Sequence, residues 1–148
     1  MQLDPDFSEF IAFLRAHDVR FLVVGGYAVA AHGHPRYTGD LDVWLLVSHE
    51  NADRLLRALD DFGFGSLGLT AEDFTEPGRV VQLGYPPLRI DLMTSADGVS
   101  FEECWEQRLE VAIDGAPVPF IGLHDLRRNK MASARPQDVA DVAALDEG

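Results

Sequence analysis

The sequence has little that would point to a secreted or membrane protein. Its 148 residues contain one cysteine, Cys104, which excludes an internal disulfide and a multi-cysteine zinc site. No apolar run approaches the roughly 18 residues that a membrane-spanning helix needs. The acidic N-terminus lacks the basic segment of a signal peptide, so we expect a cytoplasmic protein. Cys104 lies on a predicted helix, and we interpret it as a buried structural thiol.

Positive charge is also scarce. The chain has 12 Lys and Arg against 25 Asp and Glu, a formal net charge of −13 at pH 7. Non-specific binding to nucleic acid needs a basic surface, so we do not expect this class of function. A small nucleotide is still compatible as a ligand, because metal ions and a few arginines can offset its charge. The best local basic patch for an RNA partner is the stretch 127–135.

Repeats, low-complexity segments and long linkers are absent as well, and the length suits a single domain over residues 1–148. Strand-like and helix-like apolar patterns alternate, which indicates an α/β arrangement of layers. Helices are predicted at 5–18, 27–32, 49–62, 100–109, 123–134 and 136–146. Strands are predicted at 21–24, 41–47, 79–84 and 88–93, with a hairpin over 110–121. We expect Asp6 or Ser8 to cap the first helix, and Ser100 with Glu103 to form a capping box.

Three aspartates interrupt predicted strands that are otherwise apolar. Asp40 and Asp42 stand two residues apart at the start of one strand, so their side chains share a face. Asp91 lies inside a later strand. A lone acid near a strand end is usually only solvated, and this interpretation stays open for Asp91. Three carboxylates on neighbouring strands would repel one another, however, and a divalent metal ion would relieve that repulsion.

The three aspartates predict a metal-dependent phosphate chemistry. Oxygen-only ligands suit Mg²⁺ or Mn²⁺. Two such ions about 3.5–4 Å apart can activate an attacking oxygen and stabilise a leaving phosphate oxygen. We therefore assign Asp40 and Asp42 to the metals and the nucleotide phosphates. Asp91 would complete the site where an acceptor hydroxyl is activated.

The segment before Asp40 carries candidate phosphate ligands. Gly25 and Gly26 precede a short predicted helix, where backbone N–H groups can cradle a phosphate that glycine allows to approach. Arg36 could bind phosphate or could order the loop by pairing with an aspartate. Thr38 is a further candidate for nucleotide binding, and the alternative is that it only caps the turn.

A set of spaced residues resembles the nucleotidyltransferase superfamily of DNA polymerase beta type. The set is Gly25-Gly26-x-Ala28, then Gly33-x-x-Arg36-x-Thr38-x-Asp40-x-Asp42 before an apolar strand. It looks closest to small bacterial toxin-type and minimal nucleotidyltransferases, and the aminoglycoside and lincosamide enzymes are similar in this stretch. Asp91 matches the third acid of the family. A lysine helix with Lys130, followed by Arg135-x-x-Asp138-x-x-Asp141, resembles the end of the toxin-type domain.

The resemblance implies a twisted mixed β-sheet flanked by helices. It also implies metal-dependent transfer of a nucleoside monophosphate from an NTP to a hydroxyl acceptor on a protein, an RNA or a small molecule. Lys130 would then reach the nucleotide phosphates, the alternative being a solvated helix lysine. The purely structural alternative for Asp138 and Asp141 is an ion pair with Arg135 within one helix.

Two other functions stay open. A catalytically silent module could bind a nucleotide or a partner protein such as an antitoxin, as one half of a toxin–antitoxin or abortive-infection system. An antibiotic-modifying nucleotidyltransferase is the other alternative, although 148 residues leave little room for a further substrate-binding region unless a dimer supplies it. The expected partners are an NTP, an acceptor that the sequence does not identify, and a possible antitoxin.

Overall fold

A computed structural model of the chain describes residues 1, 3–35, 38–85 and 88–147. Within these residues the chain forms a mixed sheet of six strands. They are β1 (Phe21–Val24), β2 (Asp40–Leu45), β3 (Val80–Tyr85), β4 (Leu88–Met93), β5 (Leu109–Ile113) and β6 (Ala116–Phe120). Their order across the sheet is β3-β4-β2-β1-β6-β5. β1 is antiparallel to β2 and parallel to β6, whereas β2 is parallel to β4.

Six helices flank the sheet in the same described residues. They are α1 (Pro5–Ala16), α2 (Gly25–Ala31), α3 (His49–Leu59), α4 (Phe101–Glu106), α5 (Leu123–Ser133) and α6 (Pro136–Glu147). The predicted hairpin over 110–121 is present as the antiparallel β5–β6 pair, and β3 and β4 form a second antiparallel hairpin. Asp114 and Gly115 at the second turn both have positive φ, as a tight hairpin turn requires. The predicted mixed sheet flanked by helices is confirmed.

The ends of α1 differ from the prediction. The helix stops at Ala16, because Asp18, which was predicted to be helical, adopts a positive φ of 55°. Its N-terminal cap is Asp4 rather than Asp6 or Ser8, and the Asp4 side chain accepts the backbone N–H of Asp6 at 2.9 Å. Pro5 follows the cap at the first helical position, where its missing N–H costs nothing.

Two further helices end earlier than predicted. α3 stops at Leu59 and continues as a wider turn over Asp60–Phe64, in which Gly63 has a φ of 108°. α4 stops at Glu106, since the chain must extend again to enter β5. The side chain of Ser100 makes no capping hydrogen bond, so the predicted capping box is wrong.

The core is built from aromatic and aliphatic side chains of the sheet and its helices. The largest fully buried side chains include Phe7, Phe10, Phe21, Phe74 and Phe120. Trp44 of β2 packs edge-on against Phe101 of α4, with ring centroids 5.2 Å apart. Cys104 is fully buried beside them, and burial, followed by the charge of Asp125, raises the pKa of its thiol to about 12. The predicted structural thiol is therefore confirmed.

None of the helices in the described part of the chain has the length and the apolar character that crossing a lipid bilayer requires.

Candidate active site

The pairing of β2 with β4 brings the three predicted aspartates onto one face of the sheet. Asp42 lies directly opposite Asp91, and Asp40 lies opposite Arg89. Because directly opposed residues point to the same face, the three carboxylates and the Arg89 side chain are neighbours. The two apolar residues that alternate with the acids on β2 are fully buried on the other face.

Arg89 is a site residue that the sequence reasoning missed. Its Nε donates to Asp91 Oδ1 at 2.9 Å, and its Nη2 donates to Asp91 Oδ2 at 3.2 Å and to Asp40 Oδ2 at 3.1 Å. The hydrogen bond to Asp91 is the largest of several effects that raise the pKa of this guanidinium. The signal was present in the sequence, because Arg89 and Asp91 are two residues apart on one strand and must share a face.

The surroundings of Asp42 change its titration. Burial raises its pKa to about 7, and the negative charges of Asp91 and Asp40 add to the shift. The positive charges of Lys130 and Arg135 oppose the shift. A carboxyl group held in such surroundings gains from a cation placed beside it.

The raised pKa of Asp42 predicts a pH-dependent cost of folding when no divalent cation is present. The native state keeps the Asp42 proton to higher pH than the unfolded chain does, so stability falls as pH rises from about 4 to about 7. Asp42→Asn removes this group. The free energy of unfolding of the variant should therefore rise relative to that of the wild type as pH increases from about 4 to about 7. Urea unfolding in EDTA measures the difference, and a difference that does not change with pH would contradict the prediction.

Gly25 lies directly against Asp42. Its φ is +69°, and a Cβ at this position would come within 2.9 Å of the Asp42 carboxyl carbon. Helix α2 begins at Gly25, two residues earlier than predicted, so Gly25 and Gly26 are its first residues rather than a preceding loop. The structure thus places the glycine pair beside the carboxylates, while its contact with phosphate stays a prediction.

The loop before Asp40 is only partly described. The Thr38 hydroxyl donates to the backbone oxygen of Asp40 at 3.2 Å and accepts from its backbone nitrogen at 3.4 Å. The Tyr27 hydroxyl donates to the Thr38 carbonyl at 3.3 Å. These contacts favour the turn-capping alternative for Thr38. Arg36 lies outside the described residues.

Lys130 lies in an internal ion-pair network between α5 and α6. Its Nζ donates to Asp138 Oδ1 at 3.2 Å and to Asp141 Oδ2 at 2.9 Å. Lys130 is only 4% exposed, so the alternative of a solvated helix lysine is wrong. Asp138 also accepts from Arg135 Nε at 2.8 Å, but Arg135 precedes α6, so this predicted ion pair does not lie within one helix. Contact of Lys130 with nucleotide phosphates stays a prediction, although its charge does reach Asp42.

The comparison with protein families is decisive for the class of this chain. A family described as "nucleotidyltransferase of unknown function (DUF6036)" matches residues 2–146. The chain belongs to this nucleotidyltransferase family. The resemblance that the sequence motifs suggested is thereby confirmed. A search of curated proteins found no match to the sequence.

Solved structures of nucleotidyltransferases share the fold. The lincosamide antibiotic adenylyltransferase LnuA, solved with lincomycin bound, is 13% identical with a TM-score of 0.59, and the match covers 97% of this chain and 96% of that one. An antigenic nucleotidyltransferase-like protein from Paracoccidioides brasiliensis is 20% identical with a TM-score of 0.58, covering 93% and 72%. A putative nucleotidyltransferase from Thermotoga maritima is 15% identical with a TM-score of 0.55, covering 95% and 88%. At these identities the likeness establishes the fold alone.

The donor chemistry of the three carboxylates suits a hard cation. Among the described residues, no group of three or more His, Cys, Asp or Glu side chains is placed to bind a metal ion as the side chains now stand. The Arg89 guanidinium bridges Asp40 and Asp91 in this arrangement. Three carboxylates, one of them with a raised pKa, are nevertheless the ligand type that Mg²⁺ and Mn²⁺ prefer.

Proposed function

We propose that the chain is a Mg²⁺- or Mn²⁺-dependent nucleotidyltransferase that moves a nucleoside monophosphate from an NTP to a hydroxyl acceptor. One observation carries the proposal: Asp40, Asp42 and Asp91 lie together on one sheet face in a member of a nucleotidyltransferase family. The acceptor hydroxyl would belong to a protein, an RNA or a small molecule.

The roles follow from the positions of the carboxylates. Asp40 and Asp42 would hold the metal ions and, with them, the triphosphate, while Asp91 would complete the ligand set. Bound there, divalent cations neutralise phosphate charge and stabilise the leaving oxygen. Gly25 has no side chain, so it allows the start of α2 to lie against Asp42. Gly26 follows it in the first turn of the same helix.

The reaction would exchange one bond to phosphorus for another. The acceptor oxygen forms a bond to the α-phosphorus, the bond from that phosphorus to the β-phosphate oxygen breaks, and pyrophosphate leaves. The hydroxyl proton passes to the Asp91 carboxylate. Asp91 is assigned this role because it lies opposite Asp42, next to the proposed metal ligands. Its other neighbour, Gln82 on the edge strand β3, is exposed.

A transfer assay with α-labelled NTP and Mg²⁺ tests the proposal. The assay follows pyrophosphate release and label transfer to protein, RNA and small-molecule acceptors. We expect the double variant Asp40→Ala/Asp42→Ala to lose activity by at least about a hundredfold, because charge on the phosphates is no longer neutralised. Asp53→Ala is the matched control, since Asp53 is exposed on α3, and it should retain wild-type activity. Full activity of the double variant would overturn the assignment.

A small-molecule acceptor is the candidate with a specific observation in its favour. The match with LnuA covers nearly the whole length of both chains. An adenylyltransferase with an antibiotic ligand therefore fits into a chain of this extent, which the short sequence alone had argued against. The same assay with lincosamides and aminoglycosides as acceptors tests this proposal, and label on protein or RNA alone would contradict it.

A measurement of NTP binding distinguishes the enzyme from the catalytically silent alternative. Calorimetry that shows NTP binding by the wild type without pyrophosphate release, with any acceptor class, would favour it over the enzyme. A toxin–antitoxin role, an antitoxin partner and a cytoplasmic location stay predictions.

A further inference from the structure

The Arg89 side chain occupies the middle of the proposed metal site. Its Nη2 lies within hydrogen-bond distance of one oxygen of Asp40 and one oxygen of Asp91, at 3.1 and 3.2 Å. Its Nε engages the second oxygen of Asp91 at 2.9 Å. The guanidinium therefore bridges the two outer carboxylates of the cluster, as a shared metal ion would.

A guanidinium and a divalent cation compete for this position. A cation that bridges Asp40 and Asp91 must lie between their oxygens, where Nη2 now lies. Two positive charges a few ångströms apart repel each other strongly in a partly buried site. The Arg89 side chain is 28% exposed and that of Asp91 is 12% exposed, so water screens this repulsion only in part.

The other cationic side chains near the carboxylate cluster form hydrogen bonds with other residues. Lys130 donates to Asp138 and Asp141, and Arg135 donates to Asp138. Among the described residues, hydrogen bonds from cationic side chains to the three carboxylates come from Arg89. Of these three cations, Arg89 alone therefore offsets the negative charge of the carboxylates by direct contact.

The surroundings of Arg89 leave room for another position of its side chain. The residue opposite Arg89 on the edge strand β3 is Gly84, which has no side chain to hold the guanidinium in place. Within the described part of the chain, the hydrogen bonds of the guanidinium go to Asp40 and Asp91. When these carboxylates bind another cation, no other described residue holds the Arg89 guanidinium in its present position.

We propose that Arg89 is the internal counter-ion of the carboxylate cluster, and that it gives up its contacts to Asp40 and Asp91 when a divalent cation binds. The inference rests on the proposed function in one respect, that the site takes a divalent cation. Arg89 in this role is a positioning residue. It holds Asp40 and Asp91 together before the metal binds, and it sets the metal affinity by competition.

Binding of Mn²⁺ alone, without nucleotide, tests the inference on the full chain. The variant Arg89→Met keeps the length of the side chain and removes its charge, so the competitor is lost. We expect it to bind Mn²⁺ more tightly than the wild type, by on the order of tenfold. Arg89→Lys keeps one charge but cannot reach both carboxylates with a forked group, and its affinity should lie between the two. Titration followed by the paramagnetic resonance signal of free Mn²⁺ gives each dissociation constant.

Arg79→Met is the matched control, because Arg79 pairs with Glu76 at 2.8 Å beside the edge strand. It should bind Mn²⁺ as the wild type does. Equal affinities of the wild type and both Arg89 variants would overturn the inference and leave the proposed function standing. Weaker binding by Arg89→Met would also overturn it. If no protein binds Mn²⁺, both the inference and the metal-dependent function fail. Should Arg89→Met not fold, Arg89→Lys still decides between these outcomes.

Discussion

Lys130→Met should lower the free energy of unfolding by about 3–5 kcal/mol, because it removes the ammonium group that two buried carboxylates share. Lys130, Asp138 and Asp141 are each at most 4% exposed. The single ammonium group donates to both aspartates and joins α5 to α6. Methionine fills much of the same space but cannot neutralise either carboxylate. Urea unfolding at neutral pH measures the loss.

The network around Asp138 explains why the loss should be large. Burial alone would raise the pKa of Asp138, but hydrogen bonds from Arg135, Ser133 and Lys130 outweigh it and hold the pKa well below its usual range. Asp138 is therefore charged in the folded protein at neutral pH. Its stabilising contribution is present above the ordinary carboxyl pKa and is lost as pH falls below it.

An exposed ion pair between the same two helices provides the control. Arg127 Nη2 contacts Asp146 Oδ1 at 2.6 Å, with side chains 36% and 49% exposed. Asp146→Asn should therefore cost at most about 1 kcal/mol. Adding Asp141→Asn to Lys130→Met should restore part of the lost stability, since one of the two buried negative charges that Lys130 offsets disappears. If Lys130 instead serves mainly to bind phosphate, Lys130→Met would keep its stability and lose only affinity for NTP.

The sequence could predict the carboxylate cluster because it depends on strand periodicity. Asp40 and Asp42 share a face in any strand, and Asp91 lies in an apolar run that reads as a neighbouring strand. The parallel register that sets Asp42 opposite Asp91 is a tertiary fact, because a shift by one residue would turn Asp91 to the other face of the sheet. Arg89 follows the same periodicity as Asp91, and it was missed because only acidic interruptions of the strand were considered.

The sequence could not predict the surroundings of Lys130 or the start of α2. Whether a helix lysine is solvated or buried depends on how α5 packs on α6, and local patterns do not encode that packing. Glycine is a poor helix former, so a start at Tyr27 was the natural prediction. The start at Gly25 follows from tertiary structure, since the positive φ of Gly25 lets the chain turn into the helix against Asp42.

Gly25→Ala should reduce nucleotidyl transfer by about a hundredfold or more, because the new methyl group displaces the Asp42 carboxylate from its position. A Cβ at residue 25 would lie 2.9 Å from the Asp42 carboxyl carbon and 3.1 Å from its Cβ. Real Cβ atoms do not approach side-chain atoms so closely, so Asp42 or the start of α2 must move. The positive φ adds a backbone cost of roughly 1–2 kcal/mol for a residue with a side chain.

Gly115→Ala separates these two effects. Gly115 has a similar φ of +79°, but an added Cβ would meet nothing within 4 Å. It should therefore lose about as much stability from the backbone alone, roughly 1–2 kcal/mol, and keep its transfer activity. Urea unfolding and kcat/KM for labelled NTP, measured on both variants, distinguish the carboxylate displacement from the backbone strain. A Gly25→Ala protein as active as Gly115→Ala would show that contact between Gly25 and Asp42 does not position the carboxylate for the reaction.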